Sequence, residues 1–97
     1  MFYMDGDCPD CDAGYILFFL CNNEKTMILI CDECNAVWLD PDKVKTGDPV
    51  YLVRPEFTLP NSEVGVNGEK SRWATRNDIE KAGWAKYISG EVKPGEW

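Results

Sequence analysis

The sequence contains no histidine, and this absence limits the chemistry that its 97 residues can support. Histidine is the most common general base in enzymes and a frequent ligand of catalytic zinc. Catalytic arrangements of the Ser–His–Asp or Cys–His type are therefore excluded, and a zinc site would have to rely on sulfur or oxygen ligands. A phosphate-binding glycine loop is also missing. We therefore expect that the protein is not an enzyme.

Long hydrophobic runs are missing as well. The longest apolar run, residues 15–21, has the length of a strand and falls far short of the roughly 20 residues that span a bilayer. Residues 1–5 lack the basic start and the small-residue cleavage site of a secretory signal. We therefore expect a cytoplasmic protein that does not bind membranes. In that reducing compartment, cysteines bind metals or act in catalysis more often than they form disulfides.

Basic residues are scarce in the first half of the chain. Residues 1–48 contain ten acidic and three basic residues, whereas residues 49–97 contain seven of each, so the net charge of -7 lies entirely in the first half. Such a surface repels phosphate backbones, which argues against binding of nucleic acid. It favours a basic partner. Solubility alone is the other explanation of this charge.

Four of the five cysteines form two Cys-x-x-Cys pairs. Cys8 pairs with Cys11 and Cys31 pairs with Cys34, and nineteen residues separate the pairs. This spacing is typical of structural zinc sites, in which four thiolates surround the ion and leave no position for a catalytic water. Iron in a rubredoxin-like site is the alternative, because it takes the same ligands. Cys21 lies in an apolar run, and we expect it to be a buried core residue.

The sequence around these pairs predicts a β-hairpin. Residues 15–21 and 26–30 are rich in β-branched and aromatic types and predict two strands, which the polar residues 22–25 connect. Two further strands are predicted at residues 35–39 and 50–53. The segment between them, residues 40–49, has the composition of turns. Residues 60–70 lack apolar periodicity and predict an exposed, mobile loop.

A short helix is predicted near the C-terminus. Thr75 is a favourable N-cap, and Asp78 lies three residues on, close to the capping-box pattern. Gly83 falls where a left-handed residue ends a helix, and Trp84 would then pack back on Ile79. The predicted fold class is therefore α+β.

The predicted organisation is a single domain over residues 1–97. Residues 1–40 form a zinc ribbon with a four-cysteine site, and residues 41–97 supply short strands, a loop and the C-terminal helix, all packed on the ribbon.

The two cysteine turns and the hairpin between them resemble zinc ribbons, which occur in transcription factors, ribosomal proteins, nucleases and adaptors. A longer pattern comprises residues 31–38 (CDECNAVW), residues 79–84 (IEKAGW) and Tyr87-Ile88. It resembles bacterial immunity proteins of contact-dependent growth inhibition systems, which are polymorphic toxin systems. Immunity proteins of this kind bind and neutralise a toxin domain. The resemblance implies a protein partner, and the acidic first half implies that this toxin domain is basic.

The residues expected to contact such a partner are acidic and lie beside or beyond the cysteine pairs. They are Asp32 and Glu33, between the second pair, and Asp40, Asp42 and Asp48, in the turn-rich segment that follows. Two other functions stay open. One is a zinc-ribbon adaptor or transcription-associated protein, which a basic stripe on the ribbon would favour. The other is a rubredoxin-like iron electron carrier.

Overall fold

The computed structural model describes most of the chain and contains seven strands and two short α-helices in that part. The described residues are 1–4, 6, 8–9, 11, 14–31, 33–34 and 36–92. The strands are β1 (Phe2–Met4), β2 (Ile16–Leu20), β3 (Met27–Cys31), β4 (Ala36–Trp38), β5 (Val50–Tyr51), β6 (Arg72–Trp73) and β7 (Ile88–Glu91). The helices are α1 (Pro41–Thr46) and α2 (Arg76–Lys81). A 3₁₀ turn, Ala85–Tyr87, precedes β7. None of the helices in these ranges is long and apolar enough to cross a membrane.

All of these strands pair antiparallel in one sheet. The order across the sheet is β5-β4-β3-β2-β1-β7, and β6 pairs with the end of β2. Strands from the first 40 residues therefore pair with strands from the rest of the chain at three places, β4 with β5, β2 with β6 and β1 with β7. Together with the two helices and the cysteine turns, this sheet confirms the predicted α+β, zinc-ribbon-like fold class.

The β2–β3 hairpin forms the centre of the sheet, as predicted. Its register places Ile16 directly opposite Cys31. Asn23 closes the loop, because its Oδ1 accepts hydrogen bonds from the backbone N–H groups of Lys25 and Thr26 at 3.0 and 2.9 Å. Asparagine commonly organises turns in this way. The loop therefore fixes the hairpin register. The register then determines which residues lie opposite each other at the end of the hairpin where the cysteines lie.

Both faces of the central strands are buried. On one face, side chains of β2, β3 and β4 pack against the helices, through Val44 of α1 and Ile79 of α2. On the other face, the alternate side chains pack against Leu59 and its neighbours in the segment that follows β5. This two-sided burial explains why β2 and β3 are continuous apolar runs rather than alternating ones.

Helix α1 corrects the prediction that residues 40–49 form only turns. Asp40 is its N-cap, with Oδ1 accepting from the Asp42 N–H at 2.8 Å, and Pro41 occupies the first turn. Gly47 ends the helix with φ +70°. Asp, Pro and Gly are favoured both in turns and at helix ends, and a six-residue helix with two buried positions is too short to show a periodic pattern.

The predicted C-terminal helix is present but is not the last element. It is α2, and β7 follows it and pairs with β1 along the edge of the sheet. The sequence did not predict β1, β6 or β7, which are two to four residues long. Strands of this length form because the sheet supplies hydrogen-bonding partners, and their own residue preferences contribute little.

The segment of residues 60–70 is more closely packed than predicted. Val64 and Val66 contact the second face of the sheet, and Gly65 between them is buried. The carbonyl of Gly65 accepts a hydrogen bond from the Asn22 N–H at 2.9 Å, and its own N–H donates to the Asn22 side chain at 3.2 Å. Two valines separated by a glycine give too short a pattern to predict this contact.

Helix α2 has the caps that the sequence predicted. Thr75 and Asp78 form a reciprocal capping box. Gly83 has φ +78°, and the Trp84 N–H donates to the Ile79 carbonyl at 3.0 Å, as in a Schellman ending. Asp78 also accepts two hydrogen bonds from Arg72 of β6. Partial burial would raise the pKa of Asp78, but the hydrogen bonds from Thr75 and Arg72 outweigh it and lower the pKa.

We expect Gly83→Ala to lower the free energy of unfolding by about 1 kcal/mol, because a side chain is strained in the left-handed region. No atom outside its immediate neighbours lies within 4 Å of a Cβ placed there, so the strain comes from the backbone alone. The measurement is thermal unfolding of the zinc-loaded protein. Glu80→Ala, on the exposed side of the same helix, is the control and should change stability by less than about 0.5 kcal/mol. Equal melting temperatures for Gly83→Ala and the parent protein would contradict the assigned helix end.

Candidate metal centre

Two turns at one end of the β2–β3 hairpin carry the paired cysteines. Cys31 is the last residue of β3, and Cys34 lies in the turn that leads to β4. Cys8 and Cys11 lie in the segment that leads from β1 to β2. Because Ile16 pairs with Cys31, the first turn enters the sheet beside the point where the second turn leaves it. The hairpin register therefore brings residues twenty positions apart into one site.

The four sulfur atoms form a compact group. All four lie within 4.8 Å of one another. The Sγ atoms of Cys8 and Cys34 are 3.6 Å apart, and those of Cys11 and Cys31 are 3.7 Å apart, so each short separation joins one turn to the other. Tetrahedral zinc with Zn–S bonds of about 2.3 Å places its sulfurs about 3.8 Å apart. The sulfur donors and these spacings fit such an ion, and none of these four described cysteines forms a disulfide.

Backbone N–H groups of the second turn stabilise the thiolate form of Cys31. The N–H groups of Glu33 and Cys34 both donate to Cys31 Sγ at 3.4 Å. Burial would raise the pKa of Cys31, but these two donors, together with the thiols of Cys8 and Cys34, outweigh it and lower the pKa. Hydrogen bonds of this kind orient a metal ligand and stabilise its charged form.

The pKa of Cys34 shifts in the opposite direction from that of Cys31. Its pKa is raised, first by burial and then by the neighbouring sulfurs of Cys31, Cys8 and Cys11. Four sulfurs this close cannot all carry negative charge without strong mutual repulsion. A divalent cation offsets this repulsion with its positive charge, and a thiol that coordinates it loses its proton. The site can therefore hold a metal ion and gains electrostatically from doing so.

The cysteine group is continuous with the hydrophobic core on the helix-bearing face of the sheet. Cys8 and Cys31 are fully buried, and Cys11 and Cys34 are half-buried against the same cluster. This cluster includes Trp38, which is fully buried. Loss of the metal would therefore disturb the core as well as the two turns.

Cys21 lies on the opposite face of the sheet from the other cysteines. It packs with Leu17 and Ile28 and is fully buried, which confirms the prediction that it is a core residue. Burial raises the pKa of its thiol to about 11. A neutral, buried thiol is a poor nucleophile, and its position excludes it from the metal group.

Four of the five acidic residues predicted to contact a partner are exposed near this site. Asp40, Asp42 and Asp48 lie at the ends of α1, and Glu33 lies between the second pair of cysteines. Asp32 lies outside the described residues. Helix α1 is close to the first cysteine turn, since a Cβ placed at Gly47 would lie 4.0 Å from the Pro9 side chain.

These acidic side chains differ in the contacts they make. Asp40 caps α1, as described above. Asp42 Oδ1 accepts from the Tyr87 hydroxyl at 3.3 Å, and Asp48 Oδ2 lies 3.8 Å from the ammonium of Lys43. The last two contacts are exposed and weak, so these carboxylates stay available to a partner.

A second group of polar side chains was not predicted from the sequence. Lys45 of α1 and Lys86 of the 3₁₀ turn both lie over the ring of Tyr87. The sequence gives no signal for this group, because its members are about forty residues apart and the residues of α1 have the composition of turns.

The chain is similar to a protein of Acanthamoeba polyphaga mimivirus named Uncharacterized protein L48. The two are 37% identical over 87 residues, which is 84% of this chain and 72% of the viral protein. No family model matches the chain, and no solved structure matches it.

We expect the purified protein to bind one zinc ion, and removal of that ion to unfold at least the ribbon. Structural zinc contributes about 10 kcal/mol or more to small domains, which is comparable to the whole stability of a typical domain. The measurements are metal analysis of protein prepared without added metal, and circular dichroism before and after addition of a strong chelator. An intact cooperative unfolding transition in protein with far less than one zinc per chain would contradict this expectation.

The matched variants for this test are Cys31→Ala and Cys21→Ala, which remove the same atoms from two fully buried positions. Cys31→Ala should lose stoichiometric zinc. Cys21→Ala should keep one zinc and lose about 1 kcal/mol of stability through the small cavity it leaves. Loss of zinc from both variants to the same degree would show that the effect is one of folding in general, and would contradict the assignment of Cys31 as a ligand.

Proposed function

This chain belongs to the same family as the mimivirus protein L48, and we propose that it is a non-enzymatic, zinc-stabilised protein that binds a basic protein partner. The name of the viral relative states no activity, so the support comes from the residues of this chain. Three features bear on the proposal: the four-sulfur site, the acidic surface beside it, and the charge balance of the rest of the chain.

The four-sulfur site supports a structural role for the metal. Four thiolates complete the tetrahedral shell of zinc, which leaves no position for a substrate or a reactive water. Two of the four ligands are fully buried, so the ion would lie largely in the core rather than in an open cleft. With no histidine in the chain to act as a base, these features favour a protein that works by binding rather than by catalysis.

The exposed acidic residues beside the metal site are the observation that carries the proposal. Asp42 on α1, Asp48 just beyond its C-cap and Glu33 on the second cysteine turn are all exposed. A Zn²⁺ ion with four thiolates adds net negative charge at the cysteine turns. The net charge of -7 comes from residues 1–48, and a negative field of this kind speeds the approach of a basic partner.

In the most specific form of the proposal, this chain is an immunity protein that neutralises a basic toxin domain. An acidic inhibitor can cover the cationic cleft of a nuclease and imitate the charge of its substrate. The sequence resemblance and the charge asymmetry both support this form.

The two alternative functions receive less support. An adaptor that contacts nucleic acid would need a basic stripe on the ribbon, and residues 1–48 contain ten acidic residues against three basic ones. A rubredoxin-like electron carrier remains compatible with four sulfurs at these spacings. Metal analysis separates it from the zinc protein, since iron at one atom per chain would replace the proposed role with electron transfer.

We expect reversal of the acidic residues beside the metal site to slow binding of the partner. The variant is Glu33→Lys, Asp42→Lys and Asp48→Lys together; Asp40 is left unchanged because its carboxylate caps α1. Association should become at least about tenfold slower at low ionic strength and should lose most of its salt dependence. The measurement is the association rate against salt concentration, with a partner captured from the source cells.

The control carries the same change of charge on the electrically balanced half, at Glu63, Glu69 and Glu91, all of which are exposed. This variant should bind at close to the parent rate. If both variants slow association equally, the acidic side only maintains solubility. A captured partner that inhibits growth, and loses this effect when the protein is present, would support the immunity form; a partner without such an effect would restrict the proposal to binding.

A further inference from the structure

We propose that the groove between α1 and β7 binds a small organic anion, with its acid group held by Lys45 and Lys86. This ligand is a phosphate monoester or a carboxylate joined to an apolar body. The inference goes beyond the proposed partner and does not depend on it, because it rests on two lysines rather than on the acidic residues beside the metal.

The groove is large enough for such a ligand. Its volume is about 850 Å³, and it is lined by residues of β1, the first cysteine turn, α1, the 3₁₀ turn and β7. Sites for small molecules commonly measure about 300–1,000 Å³ and combine an apolar lining with a few convergent polar groups. Four stretches of the chain meet here, so the folded sheet and α1 must both form before the groove exists.

Two ammonium groups converge on one aromatic ring at the rim of the groove. The Nζ atoms of Lys45 and Lys86 lie 5.5 and 5.2 Å from the centre of the Tyr87 ring. Within the described residues, no carboxylate oxygen lies within 4 Å of either Nζ. An anion in the groove that contacts both ammonium groups would be attracted by two positive charges. In a chain of net charge -7, two lysines that contact one ring without a carboxylate partner among the described residues are a local exception.

A described carboxylate contacts the ring at another point. Asp42 accepts a hydrogen bond from the Tyr87 hydroxyl at 3.3 Å. This exposed bond is weak, and it involves the hydroxyl rather than either lysine. Tyr87 therefore acts as a positioning residue, because its ring attracts both ammonium groups to the wall of the groove.

The apolar body of the ligand would lie on the remaining walls. Met4 and Val44 are buried members of the core, and Ile88 is packed against the same cluster. Pro9 adds a further apolar surface from the first cysteine turn. An inorganic anion would leave this surface exposed to water, whereas an anion with an apolar group would cover it. The groove therefore favours an organic anion over free phosphate.

The test is a set of nuclear magnetic resonance titrations of the zinc-loaded protein with four probes. The probes are 1-naphthyl phosphate, 1-naphthoate, inorganic phosphate and the uncharged 1-naphthol. At the usual affinity per atom of small ligands, 1-naphthyl phosphate should bind with a Kd of about 1 mM or tighter. Its shifts should centre on Lys45, Lys86 and Tyr87. Inorganic phosphate and 1-naphthol should bind at least about tenfold more weakly. The comparison of naphthyl phosphate with naphthoate shows which acid group the groove prefers.

Matched variants separate the groove from general electrostatic attraction. Lys45→Gln with Lys86→Gln should weaken binding of the preferred naphthyl probe at least about tenfold. The control, Lys25→Gln with Lys70→Gln, makes the same change of charge at two exposed lysines that do not line the groove and should keep the parent affinity. Thermal unfolding of both variants shows that each is folded.

Three results would overturn the proposal. One is no saturable binding of either naphthyl anion up to about 10 mM, well above the expected Kd. Another is binding of 1-naphthol as tight as that of the anions, which would show that the groove binds apolar molecules without recognising their charge. The third is equal weakening by the two lysine variants. None of these results bears on the partner that contacts the acidic side.

Discussion

The structure depends on the contact between two cysteine turns at one end of a β-hairpin. Each turn contributes two sulfurs to one group. The short separations, Cys8 to Cys34 and Cys11 to Cys31, run between the turns rather than within them. A metal at their centre would fix the turns to each other, and with them the buried cluster that also contains Trp38.

Much of the hairpin and the metal site was predictable from the sequence, because the signals there are local. Paired cysteines, a polar loop between two apolar runs, and the capping residues Thr75 and Gly83 each indicate a structure within a few residues of themselves. The elements that the sequence missed depend on distant partners. Helix α1 shares its end residues with ordinary turns, and the short strands β1 and β7 form because each completes the edge of the other.

The charges are arranged in two regions that the sequence showed only in part. The excess of acidic residues in the first half was visible by counting, and Glu33, Asp42 and Asp48 are exposed in the structure. The pairing of Lys45 with Lys86 around one tyrosine was not visible, since it requires α1 and the turn before β7 to lie side by side. Exposed acidic residues and a pair of lysines in a groove suit two chemically different partners, and we propose a protein for one and a small organic anion for the other.

The central claim is that one zinc ion, held by four thiolates, connects the two turns. X-ray absorption spectroscopy at the zinc edge tests this claim most directly, because it reports the type, number and distance of the ligands without requiring a known function. The account predicts four sulfur ligands at about 2.3 Å and no nitrogen or oxygen ligand. A shell with fewer than four sulfurs, completed by oxygen or nitrogen at about 2.0–2.2 Å, would contradict it, since that ion would have a position open to exchange.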